Sequence, residues 1–306
     1  MLATVTKSAA IALVVTSARL GAQASAPPPT PDTARARRGS EFLIPASSLL
    51  LPGLGQYLQH APRAGAAYTA TFLAGVAVGG PTDVGDVEDL PRSGDDQLSE
   101  QGWHVAFTSG LLSSWDAFHR GVPALQRRGK YQFLPSRREK VGQLLSAPFD
   151  VRFLKRWTTW LDLGQTAVVT AIVISERERG GRRLPFRAHD AAYAASASLN
   201  AGVGEEAFFR GYLLPLFYQH TGQRFWPANA LQGGLFGAAH LPDASWFALE
   251  IAGWAMWEGW VVRRNQWSIR ESIFHHFWYD AAVISAEMAT QKAQRVYRIT
   301  LPPIAF

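Results

Sequence analysis

From position 42 onward, apolar and small residues collect into tracts at 43–58, 64–80, 103–118, 158–174, 188–203, 207–217, 228–240, 246–262 and 273–289. No stretch keeps the strict alternation of a half-buried strand, so each tract reads as helix. Several tracts are rich in Gly, Ala and Ser, which lowers hydropathy but lets helices approach closely in a bilayer. The pattern predicts an all-α fold, a polytopic membrane helical bundle with an N-terminal helical hairpin region before the later tracts. A span takes about 20 residues, so the shorter tracts are marginal by length. A soluble helical bundle is the competing expectation.

The polar gaps favour the membrane reading. Asp83, Asp86, Glu88, Asp89, Asp95, Asp96 and Glu100 crowd the gap after the second tract. Arg127, Arg128, Lys130, Arg137, Arg138, Lys140, Arg152, Lys155 and Arg156 crowd the gap after the third. An acidic loop, one tract and a basic loop fit the positive-inside rule, with the basic loop cytoplasmic. Arg177, Arg179, Arg182, Arg183 and Arg187 form a second basic stretch. One crossing at 158–174 cannot put both basic stretches inside, so either that tract is re-entrant or the bias is incomplete there.

The ends differ from the middle. Lys7, the apolar run 9–15 and the small-x-small site Ala22-Gln23-Ala24 read as a signal peptide over 1–24, although Arg19 interrupts the apolar stretch. Residues 25–41, rich in Pro, Ala and Arg, read as a flexible linker. The remaining divisions are an N-terminal membrane hairpin region over 42–140, a core over 141–290 and a C-terminal tail over 291–306. The expected location is the cell (inner) membrane, crossed several times.

Composition changes this picture little. The 306 residues are 47% hydrophobic and 18% charged, which excludes a disordered chain. Mean hydropathy of -0.04 resembles a soluble protein, but polar gaps and apolar tracts are averaged in it. A net charge of +6 suits nucleic acid or anionic lipid equally. The placement of the basic residues decides for lipid, so the bilayer is the expected partner and nucleic acid is not. Zero cysteines exclude disulfides, thiolate zinc sites and a cysteine nucleophile. The 11 tryptophans suit membrane interfaces or apolar cores.

Chemistry concentrates in three places. In Gly204-Glu205-Glu206-Ala207-Phe208-Phe209-Arg210-Gly211, two acids and one Arg sit among apolar residues. On a helix Glu206 and Arg210 share a face in the favourable order, acid before cation. Glu206 is therefore the structural partner of Arg210. Glu205, about 100° around the helix, is the spare acid and suits a general base acting on water. His240 ends a tract of small residues just before Leu241-Pro242, where the helix should stop. His276 and Asp280 are four apart and can share a face, whereas His275 points elsewhere and reads as packing. Ionisable residues inside apolar helices are costly and signal function. Converging on one water molecule, these groups suit hydrolysis of an amide.

Together, Glu205-Glu206-x-x-Phe209-Arg210-Gly211, Phe236-x-x-x-His240 and His276-x-x-x-Asp280 resemble the motif set of the CAAX-protease and bacteriocin-processing (CPBP, Abi or CAAX prenyl protease 2-like) family of intramembrane endopeptidases. The resemblance covers roughly residues 142–289. It implies an all-helical membrane core whose active site lies within the bilayer and opens to a cavity. Carried over, it implies that Glu205 activates water and His240 assists. It assigns His276 and Asp280 to the oxyanion, with Glu206 and Arg210 in support. The family commonly has Asn where this chain has Asp280. An ionised Asp would repel an oxyanion, so Asp280 must be protonated, orient His276 or bind something positive.

The resemblance leaves a fork over metal. Glu205, His240 and His276 are competent zinc ligands, and the family has carried the name metalloprotease. A metal-free glutamate mechanism uses the same residues and is favoured, and the chain lacks a His-Glu-x-x-His zinc helix. The expected substrate is a membrane-associated peptide or protein. The bacterial-style signal peptide argues against prenylated tails. The rival function is a non-enzymatic membrane immunity or scaffolding protein that retains the same core.

Three further features are less defined. Glu250, Trp254 and Glu258 share a helix face and either line the cavity or, for Glu258, sit at an interface. Asn200, one turn before Glu205, reaches the site or caps a helix. The Pro/Gly-broken segment 49–57 and Ser114-Trp115-Asp116-Ala117-Phe118-His119 resemble small bacterial membrane hairpins and read as packing elements.

Overall fold

The computed structural model describes residues 40–80, 93–178, 185–240 and 247–290. The signal peptide expected over 1–24, nearly all of the linker and the C-terminal tail 291–306 lie outside the described residues. So do Asp83, Asp86, Glu88 and Asp89 of the acidic loop, and Arg179, Arg182 and Arg183 of the second basic stretch.

The first tract breaks at Pro52-Gly53 into α1 (Ser40–Leu50) and α2 (Leu54–Leu58). Gly53 takes φ 98°, a left-handed conformation that costs glycine little, and its N–H donates to Ser113 Oγ at 2.8 Å. Pro62 opens α3 (Pro62–Gly79), where its missing N–H costs nothing. Next comes α4 (Gly94–Gln126), which runs well past both ends of the tract that predicts it. Ser93 caps its first turn by accepting from Asp96 N at 3.0 Å, and Asp95 and Asp96 favour the helix dipole there. A short α5 (Val141–Leu145) and two 3₁₀ turns lead into α6 (Trp157–Glu178).

The sequence pattern separates the tracts 188–203 and 207–217, but the backbone joins them. α7 (Ala188–Glu205) passes into a π-helical segment (Glu206–Leu213) and then α8 (Leu214–His220). The acids at the junction are buried within a continuous helical path. They do not mark a solvent gap. Three more helices follow, α9 (Phe225–Ala239), α10 (Phe247–Arg264) and α11 (Arg270–Ala289).

Small residues bring α3 onto α4: a Cβ on Gly75 would lie 2.6 Å from Ala106 N. In turn α4 packs on α1, on α7 and on the π segment, while α11 packs on α6 and α7. Leu112 and Trp115 of α4 share one buried cluster with Leu144, Val203, Ala207, Val262 and Ile273. The N-terminal helices are therefore built into the core that carries the later motifs. The two hairpin-like motifs also meet. Gln56 Nε2 donates to Ser113 O at 2.8 Å and to Asp116 Oδ2 at 3.1 Å, and Arg120 and Arg138 both pair with Asp116.

The all-α expectation is met, but the expected spans do not follow from the helices themselves. Among the described residues, no helix is long and apolar enough to cross a membrane. Part of the reason is length, since α9 has only 15 residues, and part is which side faces inward. Polar and charged side chains such as Thr158, Thr159, Asp162, Glu258, Glu271 and His275 are buried in the core. Large apolar ones face out: Trp157, Trp160, Leu161 and Val168 on α6 are each more than half exposed, as are Trp226 and Leu231 on α9. Core-facing polar residues lower a helix's mean hydropathy without making its outer face polar.

Candidate active site

The π segment starts where the two acids stand. An i→i+5 turn is wider than an α turn, and such segments are frequent at functional sites. Trp115 helps to hold it, because a Cβ on Gly211 would lie 2.5 Å from Trp115 Cδ1. His119 also bonds Gly211 O at 2.9 Å.

Glu206 is the centre of the polar group. Its Oε1 lies 3.0 Å from Arg210 Nη1 and 2.9 Å from His276 Nδ1, and Ser272 Oγ donates to its Oε2. Glu206 and Arg210 are completely buried. The guanidinium stacks on aromatic faces, with its carbon 4.2 Å from the Phe236 centroid and 5.3 Å from that of Trp254. An ionised Glu206 beside Arg210 is acceptor-only, so the proton of this hydrogen bond sits on His276 Nδ1.

Glu205 is oriented differently. Only 3% exposed, it has an Oε2 that finds no hydrogen-bond partner. That oxygen lies 3.9 Å from His276 Nε2, which in turn is 3.4 Å from Asp280 Oδ2. His276 therefore has one nitrogen fixed by Glu206 and the other facing two carboxyls. Asp280, at 21% side-chain exposure, is the most open member and marks the mouth of the group.

His240 joins through an aromatic ring. It caps α9, its Nδ1 donates to Phe236 O at 2.7 Å, and Nε2 is left free of that bond. The Phe236 ring stands 4.7 Å from the His240 ring and 6.1 Å from that of His276. Trp254 closes the other side of His276 at 5.0 Å. Glu205, Glu206, Arg210, His276 and Asp280 are thus linked by direct contacts, and His240 is linked to them through Phe236.

Polar anchors fix the start of α11. Glu139 accepts from Ser268 Oγ at 2.7 Å, and burial pushes its carboxyl above the usual range. Asp150 accepts from Arg152 Nη2 and Arg270 Nη2, both at 2.7 Å. Hydrogen bonding from the Arg152 guanidinium, foremost, holds Asp150 down at about 2.

Three sequence expectations resolve differently. Asn200 does not reach the site; its side chain donates to Ser196 O at 2.8 Å and lines a separate cavity of about 110 Å³ between α3, α4 and α5. Glu250 is exposed, whereas Trp254 belongs to the site and Glu258 is completely buried. His275 does more than pack: it bonds Glu258 Oε1 at 3.0 Å and Thr159 Oγ1 at 3.0 Å. Ser272 and the cluster around His275 escape a motif reading. The i, i+4 pairs Ser272/His276 and Glu271/His275, two adjacent stripes on α11, are the signal that could have found them.

Residues 187–282 match the family model described as "Rce1-like: Type II CAAX prenyl endopeptidase Rce1-like". This segment is similar to that family. The match spans the end of the second basic stretch, the π segment, α9, α10 and most of α11, and so contains all six residues of the group. It supports a CAAX protease-type endopeptidase. No curated protein and no solved structure matches the chain.

Proposed function

We propose that the chain is a membrane-embedded endopeptidase that hydrolyses a peptide bond of a membrane-associated protein or peptide with Glu205-activated water. One observation carries this reading: a buried carboxyl oxygen on Glu205 without a hydrogen-bond partner, next to an imidazole whose far nitrogen Glu206 already holds. Water bound by Glu205, and assisted by His240, attacks the carbonyl carbon as its proton passes to Glu205. The carbonyl oxygen becomes an oxyanion facing His276 Nε2–H. Asp280, 3.4 Å from the same nitrogen, keeps the ring aimed. Collapse of the intermediate breaks the C–N bond, and Glu205 returns the proton to the leaving amine. Outward apolar side chains on α6 and α9 support embedding in lipid, because large apolar side chains exposed close together favour an apolar neighbour.

The same reading puts no metal at Glu205. The purified chain should hold the same amount of bound metal when Glu205→Gln or His240→Ala is introduced. A fall in both variants would place zinc at this centre. The activity itself is tested by comparing protein termini in membranes of cells making the wild type or Glu205→Gln. A defined set of termini should disappear in the variant. Identical termini in both would overturn the reading.

A further inference from the structure

Beside the candidate active site lies a second buried polar cluster, with Asp162 on α6, Glu258 on α10 and His275 on α11. One donor atom from each lies within 4.8 Å of the others, and all three residues are buried. His275 Nδ1 is 3.0 Å from Glu258 Oε1, close to the separation of about 3.3 Å between two ligands on a tetrahedral ion with bonds of about 2 Å. Two carboxyl oxygens in the cluster, Asp162 Oδ2 and Glu258 Oε2, receive no N–H or hydroxyl donor from outside it although Asp162 is 3% and Glu258 0% exposed, and the two carboxyls contact each other. Such oxygens are costly to bury, and their proximity makes the cost larger.

We propose that Asp162, Glu258 and His275 bind one divalent transition-metal cation of the zinc type. Charge supports this. In the forms that ligate a metal, two carboxylates and a neutral imidazole carry a charge that one divalent ion cancels. Arg156, which reaches Glu271 beside His275, is paired there. Donor chemistry agrees, since mixed imidazole and carboxylate oxygen suits zinc-type ions, and a bidentate Glu258 would complete four donors.

The surroundings are those of a metal-bound histidine. If Nδ1 ligates, Nε2–H donates to Thr159 Oγ1 at 3.0 Å, and the Thr159 hydroxyl donates onward to Glu271 Oε1 at 3.4 Å. Glu271 is held in turn by Thr158, Arg156 and Asn265. On the other side, Trp254 Nε1 donates to Asp162 Oδ1 at 3.1 Å and leaves Oδ2 to face the cluster. Outer partners of this kind fix the tautomer and ring orientation of a ligating histidine. The ion would tie α6, α10 and α11 together one residue from His276. It is distinct from any metal at Glu205.

The test uses the full chain purified in detergent, stripped by chelator and titrated with Co²⁺, read by the visible absorption of the bound ion. The wild type should take up one equivalent that Zn²⁺ displaces. Asp162→Asn and Glu258→Gln should abolish that uptake. Thr159→Ala, which touches no ligand oxygen, should weaken it about 10–100-fold. Glu205→Gln and His240→Ala should keep the full equivalent. No uptake by folded wild type overturns the proposal, and so does uptake lost in Glu205→Gln and His240→Ala but kept in Asp162→Asn. If either ligand variant fails to fold, the wild-type titration and Thr159→Ala still decide.

Discussion

Glu206 and Glu205 are neighbours with opposite surroundings, and the roles proposed for them follow that difference. Glu206 is met by Arg210, His276 and Ser272, so truncating it leaves the Arg210 charge buried with no carboxylate partner. Glu206→Ala should therefore cost about 3–5 kcal/mol of stability, seen as a lowered denaturation midpoint. A loss below 1 kcal/mol would mean that the aromatic faces of Phe236 and Trp254 suffice for the guanidinium. At the mouth, Asp280→Asn should keep hydrolysis within about tenfold, because Asn can still contact His276 and can donate to an oxyanion. Asp280→Leu removes both options and should cost about 100-fold in kcat. Equal effects of the two substitutions would show that Asp280 acts through its charge. The sequence distinguished the two acids because a four-residue step puts Glu206, and not Glu205, beside Arg210. It could not reveal that Glu206 also holds His276, since 70 residues of chain separate them.

The π segment works as an element because α4 buttresses it. Gly211 leaves room for Trp115, and a methyl group there must push the indole or the helix aside. Gly211→Ala should destabilise the protein by about 1–3 kcal/mol, measured as a shift in thermal midpoint. An unshifted midpoint would show that Trp115 can move freely. The turn before α6 gives a pH-dependent counterpart. Asp150 is held at about 2 against an ordinary 3.8. A depressed carboxyl stabilises the fold fully above its ordinary value and loses that contribution as pH falls toward its folded value. The thermal midpoint should thus drop between about pH 4 and pH 2, and Asp150→Asn should remove that part of the slope. Most helices were readable from apolar tracts. The length of α4 was not, because its outer turns depend on the Ser93 cap and on acids that look like loop. The π geometry was also hidden, because residues four apart meet on either kind of helix.

For the whole molecule, the main feature is that buried polar clusters share the interior with the apolar core while large apolar side chains stand exposed. Hydropathy averages over both faces of a helix and over tracts and polar gaps along the chain, so the chain's mean is near zero, and no described helix is long and apolar enough to span by its own sequence. The Asp162, Glu258 and His275 cluster was hidden for a related reason: its members come from three helices and form no linear motif. If the outer face meets lipid, the full chain should stay with membranes through high salt and alkaline wash and be released by detergent. Release by the wash alone would favour a peripheral protein. The most direct test concerns Glu205. A peptide containing a terminus lost in the Glu205→Gln cells should be cleaved by the purified wild type. Glu205→Gln, folded to the same thermal midpoint, should cleave it at least about 10³-fold more slowly, as expected when the base that activates water is gone. Cleavage by the variant within tenfold of the wild type would contradict a Glu205-activated hydrolysis.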